Sequence, residues 1–383
     1  MNVNGKILFW FLLFSSSFLY AQEANQPGLK SDIINEAYIG GLKNGTPLSK
    51  SGVTKKDYIV RNKADLIKCL KLAKEGEVVY VDNNASINLT GTKRLIIPSG
   101  VTLASGRGVN GSKGGILYTT TNGTVPLLVA GGPNVSIIGL RIKGPDTGIY
   151  ANGKDAFAGK STAEKKKDRL KLYRQNMYGV PISEGIQNRY KGFQIKNCEV
   201  FGWTHAAIKI AKGGDDARIS NNYIHHNQRY GLGYGVVVDG ATAIIEGNLF
   251  DYNRHSVAGT GRMGSGYEIS NNIFKENNNT TWAIDMHGGA DRKDGTNLAG
   301  TKLLVHNNII RLKGSALAFV IRGVPSEVAK VYDNEIIYVD KKNTTSVSST
   351  PKSIPKSTQG AVKYIQQRNA QGNVQFFNNS IKD

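Results

Sequence analysis

Ile219-Ser220-Asn221-Asn222-Tyr223-Ile224 is followed by Ile245-Glu246-Gly247-Asn248-Leu249-Phe250 and by Ile269-Ser270-Asn271-Asn272-Ile273-Phe274, and the return of this pattern decides the fold. The same pattern stands upstream as Ile195-Lys196-Asn197-Cys198-Glu199-Val200. Downstream it recurs as Val305-His306-Asn307-Asn308-Ile309-Ile310 and Val331-Tyr332-Asp333-Asn334-Glu335-Ile336. Aligned on an asparagine, it marks positions 197, 222, 248, 272, 308 and 334, in steps of 25, 26, 24, 36 and 26 residues. A period in this range is the mark of a repeat architecture. Each unit holds short apolar runs with alternating side chains, too short for helices and bounded by Gly and Asn. One coil of strands every two dozen residues describes an all-β solenoid, a right-handed parallel β-helix, in which each strand pairs with its equivalent about 4.8 Å away. The repeated asparagine is expected at a turn, its amide hydrogen-bonded to the next coil as a ladder.

Ahead of the repeats, residues 1–21 read as a signal peptide. Lys6 precedes the apolar run Ile7 to Leu13, and Ala21 closes a small-residue segment. That run is too short to span a bilayer, and no later stretch reaches that length. A secreted or periplasmic protein without membrane insertion is expected. Residues 22–61 read as an extended leader, and 62–383 as a single β-helix domain with a basic insertion at about 146–190. That insertion carries Lys165, Lys167, Lys171 and Arg174. A helix is expected from an Asn62 N-cap toward Gly76, covering the open end of the solenoid, whose strand edges would otherwise stay unpaired.

The 383 residues carry 49 Lys+Arg against 29 Asp+Glu, a net charge of +20. A field of that sign favours an anionic partner, and outside the cytoplasm an acidic polysaccharide is expected rather than nucleic acid. Cys69 and Cys198 both stand in apolar contexts, so two separately buried thiols are expected rather than a disulfide, and a structural zinc site lacks ligands.

The order of cap helix, Gly76-Glu77-Val78-Val79-Tyr80-Val81 and Ile97-Pro98-Ser99-Gly100-Val101-Thr102-Leu103-Ala104-Ser105-Gly106-Arg107-Gly108 resembles the entry to pectate-lyase-like β-helix enzymes. The resemblance covers most of the chain at the level of fold. It implies a polysaccharide-active solenoid without choosing among lyases, hydrolases, epimerases and tailspikes.

Stacking the coils on their asparagines brings His205, Tyr230 and His255 into one file, and Arg262, His287 and Arg322 into a second. Histidine, tyrosine and arginine are what β-elimination of a uronate needs. A cation neutralises the carboxylate, a base takes the C5 proton, and an acid protonates the leaving oxygen. Tyr230, His255, Arg262 and His287 are therefore the expected catalytic residues, with His255 or Tyr230 as base and acid. Arg262, with Asn253 or His287, is expected to neutralise the carboxylate. Arg254, Trp282, Asp285, Lys209, Tyr234, Tyr267 and Arg322, together with Asn253, make up the expected substrate contacts. His205 is weighed but not included, and His225-His226 reads as an ordinary turn. No cofactor is required, although Asp239, Glu268 and Asp285 leave calcium open. A monomer acting on an anionic polysaccharide is expected. The alternatives are a glycoside hydrolase on such a polymer, which would need clustered carboxylates, and a non-catalytic polysaccharide binder.

Overall fold

The computed structural model describes residues 36–43, 46–47, 53–148, 161–164, 167, 180–229, 231–278, 282–313, 316–339, 365–367 and 373–382. All fall in one compact unit, Ile34–Asp383. The expected signal peptide, most of the 146–190 insertion and Tyr230 lie outside the described residues.

Each coil contributes one strand to each of three parallel sheets, which hold eleven, ten and nine of the described strands. One complete turn runs through Ala217–Ser220, Tyr223–Asn227 and Tyr234–Asp239 before Thr242–Glu246 starts the next coil. In-register parallel pairing continues coil after coil, as in Ile195↔Ile219↔Ile245↔Ile269↔Val305↔Val331. The chain is thus a right-handed parallel β-helix. Its core consists of stacked like side chains from the three sheets, such as Ile224 beside Phe250 and Phe274, and Val236 beside Val257 and Ile284. Each such side chain removed from water contributes about 1.5–3 kcal/mol. Every coil therefore depends on its neighbours for burial.

The asparagine ladder is present, with one change of register. The Asn222 N–H donates to Asn248 Oδ1, Asn248 to Asn272, Asn272 to Asn308 and Asn308 to Asn334, at 2.9 to 3.1 Å. In the preceding coil the ladder position is held by Cys198, not Asn197. The Cys198 N–H donates to Asn222 Oδ1 at 2.9 Å, and Cys198 Sγ accepts from the Leu140 N–H. Asn197 belongs to the neighbouring slot with Asn221, Gly247, Asn271, Asn307 and Asp333, all at φ between 51° and 64°. That left-handed conformation suits Gly, Asn and Asp, which is why both members of the pair so often read Asn. Both cysteines are free. Cys198 is buried, whereas Cys69 is only partly so.

The helix Lys63–Leu72 opens on Asn62, whose side chain accepts from the Asp65 N–H, and it buries Leu66 and Leu70 in the core. Strand Tyr58–Val60 already pairs with Val78–Val81, so the first sheet begins ahead of Asn62. In the described part of the leader, the Gly40 N–H donates to Gly247 O, and the buried Arg107 donates to Gly40 O. No helix among the described residues is long and apolar enough to cross a membrane.

Candidate active site

The outer face of the third sheet carries most of the chemistry-bearing residues. Register places Tyr234 between Ala206 and His255, and the Trp282 ring stacks on His255 at 5.3 Å. The adjacent file runs Lys209, Val237, Ala258, Asp285. A cavity of about 210 Å³ opens over this face, bordered by His205, Lys209, Tyr234 and Asp239 on one side and by Arg262, His287, Asp291 and Arg292 on the other. His205 precedes strand Ala206–Ala211 and His287 follows Trp282–Met286, three strand spacings or about 14 Å further along the helix axis.

At the first end, His205 Nδ1 lies 2.6 Å from Glu184 Oε1, and Lys209 Nζ lies 3.5 Å from the same oxygen. Burial opposes ionisation of Glu184, but the hydrogen bond and charge of His205, with the charge of Lys209, outweigh it and hold the pKa below the usual value. The Glu184 carboxylate takes His205 Nδ1 and leaves Nε2 turned away from it. The Tyr234 ring stands edge-on to His205 at 5.8 Å, and Arg254 Nη1 donates to the Tyr234 hydroxyl at 3.1 Å. Burial raises the Tyr234 pKa against the lowering effect of Arg254. The phenol therefore keeps its proton at neutral pH.

At the second end, Asp285 is fully buried and receives His287 Nε2 at 3.1 Å and both Nε and Nη2 of Arg322. Burial works against its charge, yet the hydrogen bond from His287 and the charge of Arg322 keep its pKa far below the ordinary carboxylate value. His287 Nδ1 lies 3.9 Å from Asp291 Oδ2, so the imidazole sits between two carboxylates. Arg322 also reaches Asp291 at 3.1 Å. Two glycines make this arrangement possible. A Cβ on Gly261 would sit 1.7 Å from His287 O, and one on Gly288 would sit 1.8 Å from Arg322 O.

The structure sorts the described expected residues into five groups. Lys209, Tyr234, Arg262 and His287 border the cavity. His255 lies beneath it, fully buried between Tyr234 and Trp282, with its Nδ1–H donated to Trp282 O at 2.8 Å. Burial and then the charge of Arg254 push its pKa well below the usual histidine value, so it is a neutral ring. Asp285 and Arg322 form the ion pair under His287. Arg254 and Trp282 flank the column, with Arg322 over the Trp282 ring at 5.0 Å.

Two expected contacts point inward. Tyr267 is a core side chain packed edge-on against Phe319. Asn253 belongs to a second internal ladder at the turn between the second and third sheets. It accepts from Asn227 Nδ2 at 2.8 Å and donates to Ile224 O at 2.9 Å. Stacking on one asparagine could not separate these inward residues from outward ones.

Sequence reasoning left out Glu184, His205, Asp291 and Arg292. Glu184 lies near the end of the 146–190 insertion, where the repeat gives no register. Asp291 and Arg292 lie in the extra loop that lengthens one step to 36 residues, directly after Asp285-Met286-His287-Gly288-Gly289. An insertion beside a candidate histidine was the available signal.

A larger hollow, about 860 Å³, lies at the corner between the first and second sheets of the N-terminal coils. It has no histidine among its lining residues.

A family model described as "Right handed beta helix region" matches residues 125–310. Among solved structures, the chain is similar to the A-module of an Azotobacter vinelandii mannuronan C-5 epimerase, with 13% identity over 87% of this chain and 94% of that one and a TM-score of 0.44. It is also similar to a Yersinia enterocolitica family 28 exopolygalacturonase, with 14% identity over 86% of this chain and 66% of that one and a TM-score of 0.35. Likeness at this level assigns no activity and no residue role. No curated protein matches.

Proposed function

We propose that the protein is a secreted polysaccharide lyase that cleaves a uronate-containing polysaccharide by β-elimination. The observation that carries this reading is the pairing, at one end of the cavity, of a carboxylate-oriented imidazole with a protonated phenol, His205 on Glu184 beside Tyr234. His205 Nε2 takes the C5 proton. The electrons of that C–H bond form the C4–C5 double bond as the C4–O bond breaks, and the Tyr234 hydroxyl protonates the departing oxygen. Lys209, in the file beside Tyr234, supplies positive charge for the carboxylate whose neutralisation makes the C5 proton acidic.

The acid and base roles thus move from His255 and Tyr230 to Tyr234 and His205. A fully buried neutral His255 acts instead as the floor on which Tyr234 and Trp282 stack. His287 and Arg292 sit about 14 Å along the axis, and Arg262 one coil nearer at about 10 Å, where they contact a neighbouring sugar rather than the scissile one. Asp239 and Asp291 also border the cavity, as a hydrolase would want. Each, however, is already an acceptor for a guanidinium, from Arg262 and Arg322 respectively.

The test is incubation with alginate, pectin, glucuronan, ulvan and glycosaminoglycans, with calcium and with chelator, following ultraviolet absorbance of the unsaturated uronate. Growth of that band with one polymer is expected. New reducing ends without it would replace the lyase with a hydrolase, and neither signal would leave a binder.

A further inference from the structure

The N-terminal hollow is a polar groove of unusual charge make-up. Lys56, Lys113 and Arg141 line it, and no Asp or Glu appears among its lining residues. Its floor is fixed. Asn83 Oδ1 accepts from the Tyr80 hydroxyl at 2.7 Å and from the Gly106 N–H at 2.9 Å. With its oxygen so engaged, Asn83 has its amide nitrogen left to donate. The glycine at 106 is required for this, since a Cβ there would lie 2.6 Å from Asn83 Oδ1 and 2.7 Å from the Tyr80 hydroxyl. Lys56 Nζ stands 4.0 Å above the Tyr80 ring, and Arg141 is held at the rim by its Nε donation to Gly114 O at 3.1 Å.

We infer that this groove is a second, non-catalytic binding site for an acidic glycan chain. Three cations, with Glu199 beside Arg141 in the next strand but no carboxylate among the lining residues, favour an anion. Neutral amides such as Asn83 and Asn110 beside them suit the hydroxyls of a sugar, and the volume is that of a ligand site. The groove lies on a different corner, and in earlier coils, from the His205 cleft. It would hold the polymer while the cleft acts on it. The inference takes only the class of polymer from the lyase reading.

The experiment is affinity electrophoresis of the full chain through gels containing alginate, chondroitin sulfate or neutral dextran, at low and high salt. Lys56→Glu/Lys113→Glu is compared with His205→Ala; both lysines are exposed, and Arg141 is left in place for its backbone contact. Retention by at least one acidic gel is expected to survive His205→Ala and to fall sharply in the lysine pair variant. The pair variant should keep turnover on short oligosaccharides and show a raised KM on polymer. Unchanged retention in the pair variant, equal retention by dextran, or displacement by inorganic sulfate at matched ionic strength as effective as by the polymer would each overturn the proposal. The two readings fail separately. Lysine-dependent retention with no product from any polymer removes the lyase and keeps the groove, while product with lysine-independent retention does the reverse.

Discussion

At His205, a single carboxylate decides what the imidazole can do, because Glu184 occupies Nδ1 at 2.6 Å and thereby frees Nε2. His205→Ala and Tyr234→Phe are each expected to lower kcat by roughly 10²–10⁴-fold with folding intact by circular dichroism. Glu184→Gln should lower kcat with little change in KM, since it disturbs orientation rather than binding. Asp285 answers to stability instead. Asp285→Ala leaves Arg322 facing a buried site without its partner and should cost about 3–5 kcal/mol, read as a drop in the urea midpoint. Acid titration adds a signed prediction. Burial and the charge of His225 lower the His226 pKa to about 4, and burial also holds that of His255 well below the usual histidine value. Both rings take up protons more readily when unfolded, so stability is full above about pH 6.5 and declines as pH falls from there toward 4. His226→Gln should flatten part of that slope, and a wild-type midpoint that does not change over this window would contradict the assignment. None of these roles was legible from residue type alone. His205 and His255 share one file in the repeat, and only burial and hydrogen-bond partners divide them, His205 on Glu184 at the edge of the cavity and His255 buried beneath it on Trp282 O.

Among elements, the asparagine ladder carries the argument, because each rung satisfies backbone groups at a turn the core would otherwise strand. Asn248 donates to Ile219 O and Glu246 O and accepts from Asn222. Asn248→Ala should therefore cost about 1–3 kcal/mol for each buried partner left unpaired. Cys198 holds the corresponding rung one coil earlier, where Sγ stands in for an amide near Leu140 N and Ile137 O. Cys198→Asn is expected to match or exceed wild-type stability, whereas Cys198→Leu should lower it. A destabilised Cys198→Asn would show that the slot is not equivalent to the other rungs. The strands and the ladder were readable from spacing because a solenoid writes its period into the chain. The second ladder at Asn227 and Asn253 was missed because it shares that period at another corner. The site suffered the same ambiguity, since a coil period fixes which residues share a file but not which file faces outward.

Taken whole, the chain joins a large positive net charge to a cleft whose own charges balance. Lys209, Arg262, Arg292 and Arg322 stand against Glu184, Asp239, Asp285 and Asp291. The net charge of +20 therefore comes from residues outside the cleft, and exposed charges are screened over about 8 Å at physiological ionic strength. Retention on an anionic polysaccharide should weaken steadily with salt, and salt-independent retention would contradict this. The central claim is the elimination itself. Its most direct measurement is absorbance of the unsaturated uronate across the polymer panel, with wild type, His205→Ala and Tyr234→Phe side by side. One polymer should give a growing band with wild type and almost none with either variant. A band that persists undiminished in both variants, or reducing ends released without any band, would contradict the account.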